Sequence, residues 1–204
     1  MYYLFWDIFQ FFIGGAIDKQ KICLESANSF ENILEVGCAT GNIAVSFKKK
    51  KGSFTYTGID IDKVTIERAK SKRMGHNFKF ECVKFSDFVE KTDEKFDCIL
   101  LAGFFHHITD ELCVEIIKDA KKLLARNGRI FIIDPLKPEE NSSFLVKLYA
   151  RFLERGEYLR NEEAFKKLLV RADQDLAEAQ FQKVDIGATP FGCPVCAHFL
   201  RVTI

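Results

Sequence analysis

Hydrophobic residues along the chain fall into short runs separated by longer amphipathic stretches. Runs rich in β-branched and aromatic residues at 32–37, 54–60, 78–84, 96–103 and 129–134 predict strands. Helical periodicity predicts helices over 17–28, 42–50, 63–73 and 109–126, with a short one at 86–91. The 109–126 helix is the clearest. Leu112, Ile116, Ala120, Leu123 and Leu124 form one face, Thr109 caps the start, and Asn127-Gly128 ends it. Alternating strands and helices imply an α/β architecture with parallel pairing, right-handed crossovers and helices on both sheet faces.

The pattern changes after Asp134-Pro135. The polar stretch LKPEENSS leads into two helical segments, 142–155 and 161–176. Two extended runs follow, 180–187 and 196–204, joined by GATPFGCPVC. Consecutive strands joined by a turn-rich loop pair antiparallel. The expectation is a single domain over 1–204, with a helical insertion at 136–178. Its seven-stranded sheet is mostly parallel, with an antiparallel C-terminal strand at the edge.

Composition narrows the choice of partner. The chain has 204 residues, enough for one substantial core. Its 30 basic and 29 acidic residues nearly cancel, so nothing points to nucleic acid or an anionic membrane surface. The Lys48-Lys49-Lys50-Lys51-Gly52 run reads as a solvated helix end. The opening MYYLFWDIFQFFIGGAID places aromatics at 2, 5, 6, 9, 12 and 13, one side of a short helix before Gly14-Gly15. It lacks a basic leader, and Asp7 and Gln10 interrupt a run too short to span a bilayer. Residues 1–29 are therefore expected to pack as an aromatic helical lid, without membrane insertion.

Seven cysteines, at 23, 38, 82, 98, 113, 193 and 196, lie mostly in apolar runs. Buried free thiols in a reducing, cytoplasmic compartment fit that placement. Cys193, Cys196 and His198 in CPVCAHF lack the further ligands of a structural zinc site, so no metal is expected.

Chemistry concentrates in ILEVGCATGN, residues 33–42. A strand ending in Glu35-Val36-Gly37, then Cys38-Ala39-Thr40-Gly41 and a helix, lets backbone approach a ligand closely. Asp60 ends the next strand, nineteen residues beyond Gly41, where a carboxylate can accept both hydroxyls of a ribose. The dinucleotide fingerprint needs glycine at its first, third and sixth positions, and this loop has Gly37, Ala39 and Asn42. No tyrosine is followed four residues later by lysine, the pairing common in short-chain dehydrogenases.

With these residues the sequence resembles the class I S-adenosylmethionine-dependent methyltransferases, over about 30–135 and the closing hairpin. Their first motif is an acidic residue followed by Gly-x-Gly-x-Gly; here it reads Glu35, Gly37, Ala39, Gly41. Asp60 matches the ribose-binding acid, FDCILLAGFFHHI the fourth-strand motif, and LLARNGRIFIIDP the fifth-strand motif. The resemblance implies a Rossmann-like fold, S-adenosyl-L-methionine as cofactor and a methyltransferase acting on O, N or C of a small-molecule acceptor. It implies a cofactor site of Glu35, Gly37, Cys38, Ala39, Gly41, Asn42, Asp60, Ile61, Phe85, Ala102 and Gly103. Lys84 stands where the family often has an adenine-binding acid, and Asp87 comes late to replace it.

His106 and His107 follow the fourth strand, beside the methionine end of the cofactor in the family, and are candidates for a general base. Tyr3 and Trp6 are candidate lid residues over the substrate. RFLERGEYLRNEEAF weakly resembles an Arg-Gly-x-Tyr-x-Arg stretch of small bacterial methyltransferases, so Arg155, Tyr158 and Arg160 are candidates to bind an anionic acceptor. A second copy of the chain is a candidate partner. Two other readings stay open: an NAD(P)-dependent oxidoreductase, and a non-catalytic nucleotide-binding protein of the same fold.

Overall fold

The computed structural model describes residues 15–142, 144, 147, 157–186 and 197–204. Tyr3, Trp6, Arg155, Cys193 and Cys196 lie outside these, as does most of the 142–155 helix expected from the sequence. In chain order the elements are α1 (Gly15–Ala27), β1 (Asn32–Val36), α2 (Asn42–Phe47), β2 (Thr55–Asp60), α3 (Lys63–Ser71), β3 (Phe78–Cys82), α4 (Phe85–Lys91) and β4 (Phe96–Ala102). Then follow a 3₁₀ turn (Phe105–His107), α5 (Asp110–Leu123), β5 (Leu124–Pro135), α6 (Glu162–Ala172), a second 3₁₀ turn (Gln174–Glu178), β6 (Gln180–Ile186) and β7 (Ala197–Thr203).

The seven strands form one sheet in the order β3-β2-β1-β4-β5-β7-β6. β1 to β5 pair in parallel, while β7 runs antiparallel to both β5 and β6. β1 pairs with β2 on one side and β4 on the other, so the winding direction reverses between β1 and β4. The crevice outside the carboxyl ends of such strands is where open α/β sheets place ligands.

Both faces of the sheet are covered, which explains the near-continuous apolar strands. Leu34 and Val36 of β1 pack on one face with Phe88, Ile117 and Leu168 of α4, α5 and α6. Ile33 packs on the other with Cys23, Phe47 and Ile66 of α1, α2 and α3. Strand alternation therefore sends Glu35 to the α1 face.

Two sequence expectations are corrected. The antiparallel strand is interior rather than at the edge: β7 buries Phe199, Leu200 and Val202, and the more polar β6 (QFQKVDI) takes the edge. A charged edge strand discourages pairing with another chain. The long helix stops at Leu123, because Leu124 turns extended and pairs with Phe96. Asn127, at φ 66°, sits within the register shift that follows, so Asn127-Gly128 shapes a bulge in β5 instead of capping α5. The buried face of α5 is Cys113, Ile117, Ala120 and Leu123, with Leu112 exposed.

Candidate functional site

The loop after β1 is held by its own backbone. Gly37 and Cys38 both donate their N–H to the Ile59 carbonyl, at 2.9 and 3.0 Å. Gly37, Ala39 and Gly41 all have positive φ, at 72°, 45° and 71°. For Ala39 this left-handed conformation costs about 1–2 kcal/mol. Its N–H donates to Asp60 Oδ2 at 2.8 Å, while Asp62 donates to Oδ1 at 2.9 Å. A carboxylate offers about four acceptor sites, so Asp60 holds the loop and retains capacity for a diol.

Gly37 also serves a packing need. A Cβ there would meet Phe104 Cδ1 at 3.0 Å, so the bare backbone lets the aromatic ring close over the loop. The Cys38 side chain turns inward, and burial pushes its thiol well above the ordinary cysteine range. Asn42 begins α2, where its carbonyl accepts from Gln20 at 2.8 Å and its side-chain oxygen from Lys72 at 2.5 Å. Ile61 leaves 75% of its surface exposed beside Asp60. Phe85 opens α4 with its ring in the core; Lys84 and Asp87 are exposed.

Glu35 lies on the α1 side at 2% exposure, with the Tyr56 hydroxyl donating to its Oε2. Burial pushes its carboxyl up to about 8, and Asp60 adds to the rise, while Lys19 and Lys72 pull it down.

The turn after β4 is held by residues distant in sequence. Ala102 is buried, and Gly103, at φ 75°, donates to the Ile133 carbonyl at 2.8 Å. His106 is 3% exposed, with Nδ1 3.1 and 3.2 Å from the two oxygens of the buried Asp134. An ionised carboxylate only accepts, so Nδ1 carries the proton in this pair. Phe105 donates its N–H to the same carboxylate at 3.2 Å. His107 is exposed on one side, with its ring 3.9 Å from that of His106. Packing on its other side pushes its imidazole down to about 4, helped by His106 and Lys19 and opposed by Asp134.

Arg160 corrects the expectation of an anion-binding arginine. Its guanidinium is buried and committed inside the protein. Nε and one terminal nitrogen meet Asp110 Oδ1 at 2.8 and 2.7 Å. The remaining donors reach the carbonyls of Phe105 (2.7 Å), Tyr158 (3.1 Å) and Ile108 (2.8 Å). Tyr158 donates its N–H to the His106 carbonyl at 3.1 Å and keeps a partly exposed side chain. Segment 157–160 thus clamps the His106–His107 turn.

The fold brings the β1 loop, Asp60, Gly103 and the two histidines to the carboxyl ends of the adjacent strands β1, β2 and β4. Sequence reading missed Lys19, Asp134 and Tyr56 there. Only Asp134 carried a signal, since it closes the fifth-strand motif. A separate cavity of about 530 Å³, lined by Lys70, Arg73, Met74, Gly75, Phe78 and Phe80, contains none of these residues. Among the described residues no three His, Cys, Asp or Glu side chains are grouped to hold a metal, and no helix is long and apolar enough to cross a membrane.

A seven-stranded sheet of this order, with a positive-φ loop tied to an acid at the end of β2, defines a Rossmann-like methyltransferase fold. Residues 33–128 match the family model of the methyltransferase domain. O-methyltransferase 7 of Dictyostelium discoideum is 29% identical over 150 residues, covering 72% of this chain and 42% of that protein. Demethylmenaquinone methyltransferase of Thermotoga maritima is 26% identical over 123 residues, covering 60% and 51% respectively. The structure of the mitomycin 7-O-methyltransferase MmcR shares the fold with a TM-score of 0.69 at 15% identity, over 92% of this chain and 53% of that one. The chain spans about half the length of the curated relatives it matches. It is similar in sequence and fold to S-adenosylmethionine-dependent methyltransferases.

The crevice suits that cofactor. Backbone without side-chain bulk at Gly37, a carboxylate with spare acceptor sites at Asp60 and an exposed apolar surface at Ile61 match its amino-acid tail, ribose and adenine.

Proposed function

We propose that this chain methylates O, N or C of a small-molecule acceptor, with the cofactor along the β1 loop and the acceptor beside the His106–His107 turn. The observation that carries this is the Asp60 carboxylate, tied to Ala39 and Asp62 at the sheet's switch point. The bound cofactor supplies a methyl group on an electrophilic sulfonium, so the protein's task is positioning and, where needed, proton removal.

Asp60 holds the ribose hydroxyls, and the backbone at Gly37, Cys38, Ala39, Gly41 and Asn42 lies along the amino-acid end. Ile61 and the Phe85 backbone flank the adenine; Ala102, Gly103 and Glu35 border the methionine end. His107 is neutral near pH 7 and open on one side, so a ring nitrogen can accept a hydrogen bond from the acceptor; lowered to about 4, it is a weak base suited to an acceptor that loses its proton readily. The buried His106, held by Asp134, positions it. Tyr3, Trp6 and Arg155 remain the proposed lid and acceptor contacts, with Tyr158 at the rim.

The near-neutral charge supports a small acceptor, as does the likeness to demethylmenaquinone methyltransferase. The free cysteines among the described residues, Cys23, Cys38, Cys82, Cys98 and Cys113, support a cytoplasmic location.

Calorimetry with S-adenosylmethionine tests the cofactor site. Asp60→Ala is expected to weaken binding by roughly tenfold to a hundredfold while the fold persists. Undiminished affinity defeats the assignment, and tight NAD binding without S-adenosylmethionine binding replaces the reading altogether. Labelled methyl transfer across a metabolite panel then identifies the acceptor.

A further inference from the structure

The cavity between the end of α3 and the start of β3 takes no part in the reaction proposed above. At about 530 Å³ it lies within the range of small-molecule sites. Its floor is aromatic and thioether: Phe80 is buried, while Phe78 and Met74 are half-buried. Phe78 meets Phe54 edge-on, with ring centroids 5.6 Å apart. The rim is cationic, formed by the exposed Lys70 and Arg73. Local backbone sets this up. Arg73, at φ 46°, leaves α3 in the left-handed region with its N–H on the Lys70 carbonyl at 3.2 Å, and Gly75, at φ 116°, turns the chain back into β3. That reversal sets the last cations of α3 beside the first rings of β3.

Charge does not balance here. Residues 63–80 carry Lys63, Arg68, Lys70, Lys72, Arg73 and Lys79 against Glu67 alone, in a chain whose charges nearly cancel. Glu67 meets Lys70 Nζ at 3.2 Å, an exposed pair of little energy. Among the described residues the Arg73 guanidinium makes no hydrogen bond or ion pair. Cations over an aromatic floor complement an anion on an aromatic body. A guanidinium takes a carboxylate through two parallel N–H bonds, and phenylalanine rings and a methionine sulfur pack well on another ring. The same floor backs the β1 loop. A Cβ on Gly41 would stand 3.1 Å from Met74 Cε and 3.3 Å from Phe80 Cε1, and one on Gly58 2.9 Å from Phe80 Cδ1. Met74 and Phe80 therefore touch the cavity on one side and the loop on the other.

We propose that this cavity is a second ligand site, for a small aromatic carboxylate, and that its occupancy is felt at the β1 loop through Met74 and Phe80. Filling the space behind these two side chains limits how far the loop can retreat, so occupancy favours the cofactor-binding form. The ligand site stands without the methyltransferase reading, whereas its link to the cofactor rests on the placement of S-adenosylmethionine along that loop.

Nuclear magnetic resonance titration of the full chain with phenylbutyrate tests the site. Saturable shifts are expected at the amides of residues 70–80, with a Kd on the order of 1 mM. The neutral phenylbutyramide, and inorganic phosphate alone, should each bind roughly fivefold to tenfold more weakly. Lys70→Gln combined with Arg73→Gln, both at exposed positions, should lower phenylbutyrate to the level of the amide. No saturable shift, shifts centred elsewhere, or equal binding of the amide or of phosphate overturns the site. Calorimetry with S-adenosylhomocysteine tests the link: saturating phenylbutyrate should tighten its binding by roughly fivefold, and the converse titration should show the same factor. Unchanged or weakened affinity overturns the link and leaves the site. Wild type that binds no S-adenosylhomocysteine under either condition overturns the cofactor placement instead.

Discussion

The two loops that meet at the switch point are built in opposite ways. After β1, residues 37–41 are held by backbone bonds to Ile59 and by Asp60, all from the adjoining β2 strand. After β4, residues 103–107 are held by side chains brought from far along the chain, Asp134 at the end of β5 and Arg160 beyond it. The first loop is a self-contained unit that depends on backbone conformation. The second is a turn whose shape is imposed by buried charges. On the proposed reading, the ribose site and acceptor positioning therefore rest on separable supports.

Arg160→Met should break the comparison most sharply. It removes the guanidinium donors from the Tyr158 and Ile108 carbonyls, leaves the Phe105 carbonyl with the Ile108 N–H, and leaves the half-exposed Asp110 with Arg171 alone. The expected loss is about 3 kcal/mol, or a melting point lower by roughly 6–12 °C, allowing for solvent screening at Asp110. Methyl transfer should fall while cofactor affinity, measured below the melting transition, stays close to wild type. A parallel loss of cofactor affinity would show the two supports are not separate.

Glu35→Gln sharpens it from the cofactor side. A carboxyl raised to about 8 in the fold, against about 4.5 unfolded, contributes stability that is fully present below pH 4.5 and lost as pH rises through 8. The expected alkaline loss is on the order of a few kcal/mol. Denaturant titrations across that window should show the decline in wild type and a flatter profile in Glu35→Gln. Matching profiles would mean that Glu35 does not titrate as its burial implies.

Ala39→Gly is the smallest change. Relieving the left-handed alanine gains about 1 kcal/mol at most, reduced by the greater flexibility of unfolded glycine. Cofactor affinity should stay the same or tighten. Weaker binding would show that the Ala39 methyl group makes a contact of its own.

Legibility followed the same divide. The strand, loop and helix over 32–47 match the expected segments to within a residue at the strand and three at the helix end, because close neighbours dictate them. Asp60 was legible for the same reason: one crossover fixes its distance from the loop. Arg160 was misread because a polar side chain in an amphipathic segment says nothing about which carbonyls will surround it. Leu124 was misread because apolar periodicity continues through a helix-to-strand change, and only pairing with Phe96 decides between them.

The sequence by itself determined the alternation of elements, the close-approach loop between Gly37 and Gly41, and the acid at Asp60. Each depends on local backbone sterics and on periods of two or 3.6 residues. Only the tertiary structure decided that β7 slips between β5 and β6, that Asp134 holds His106, that Arg160 turns inward, and that Lys19 reaches Gly103. Those outcomes depend on which surfaces and charges meet after the sheet closes, and partners so far apart in the chain leave no local trace.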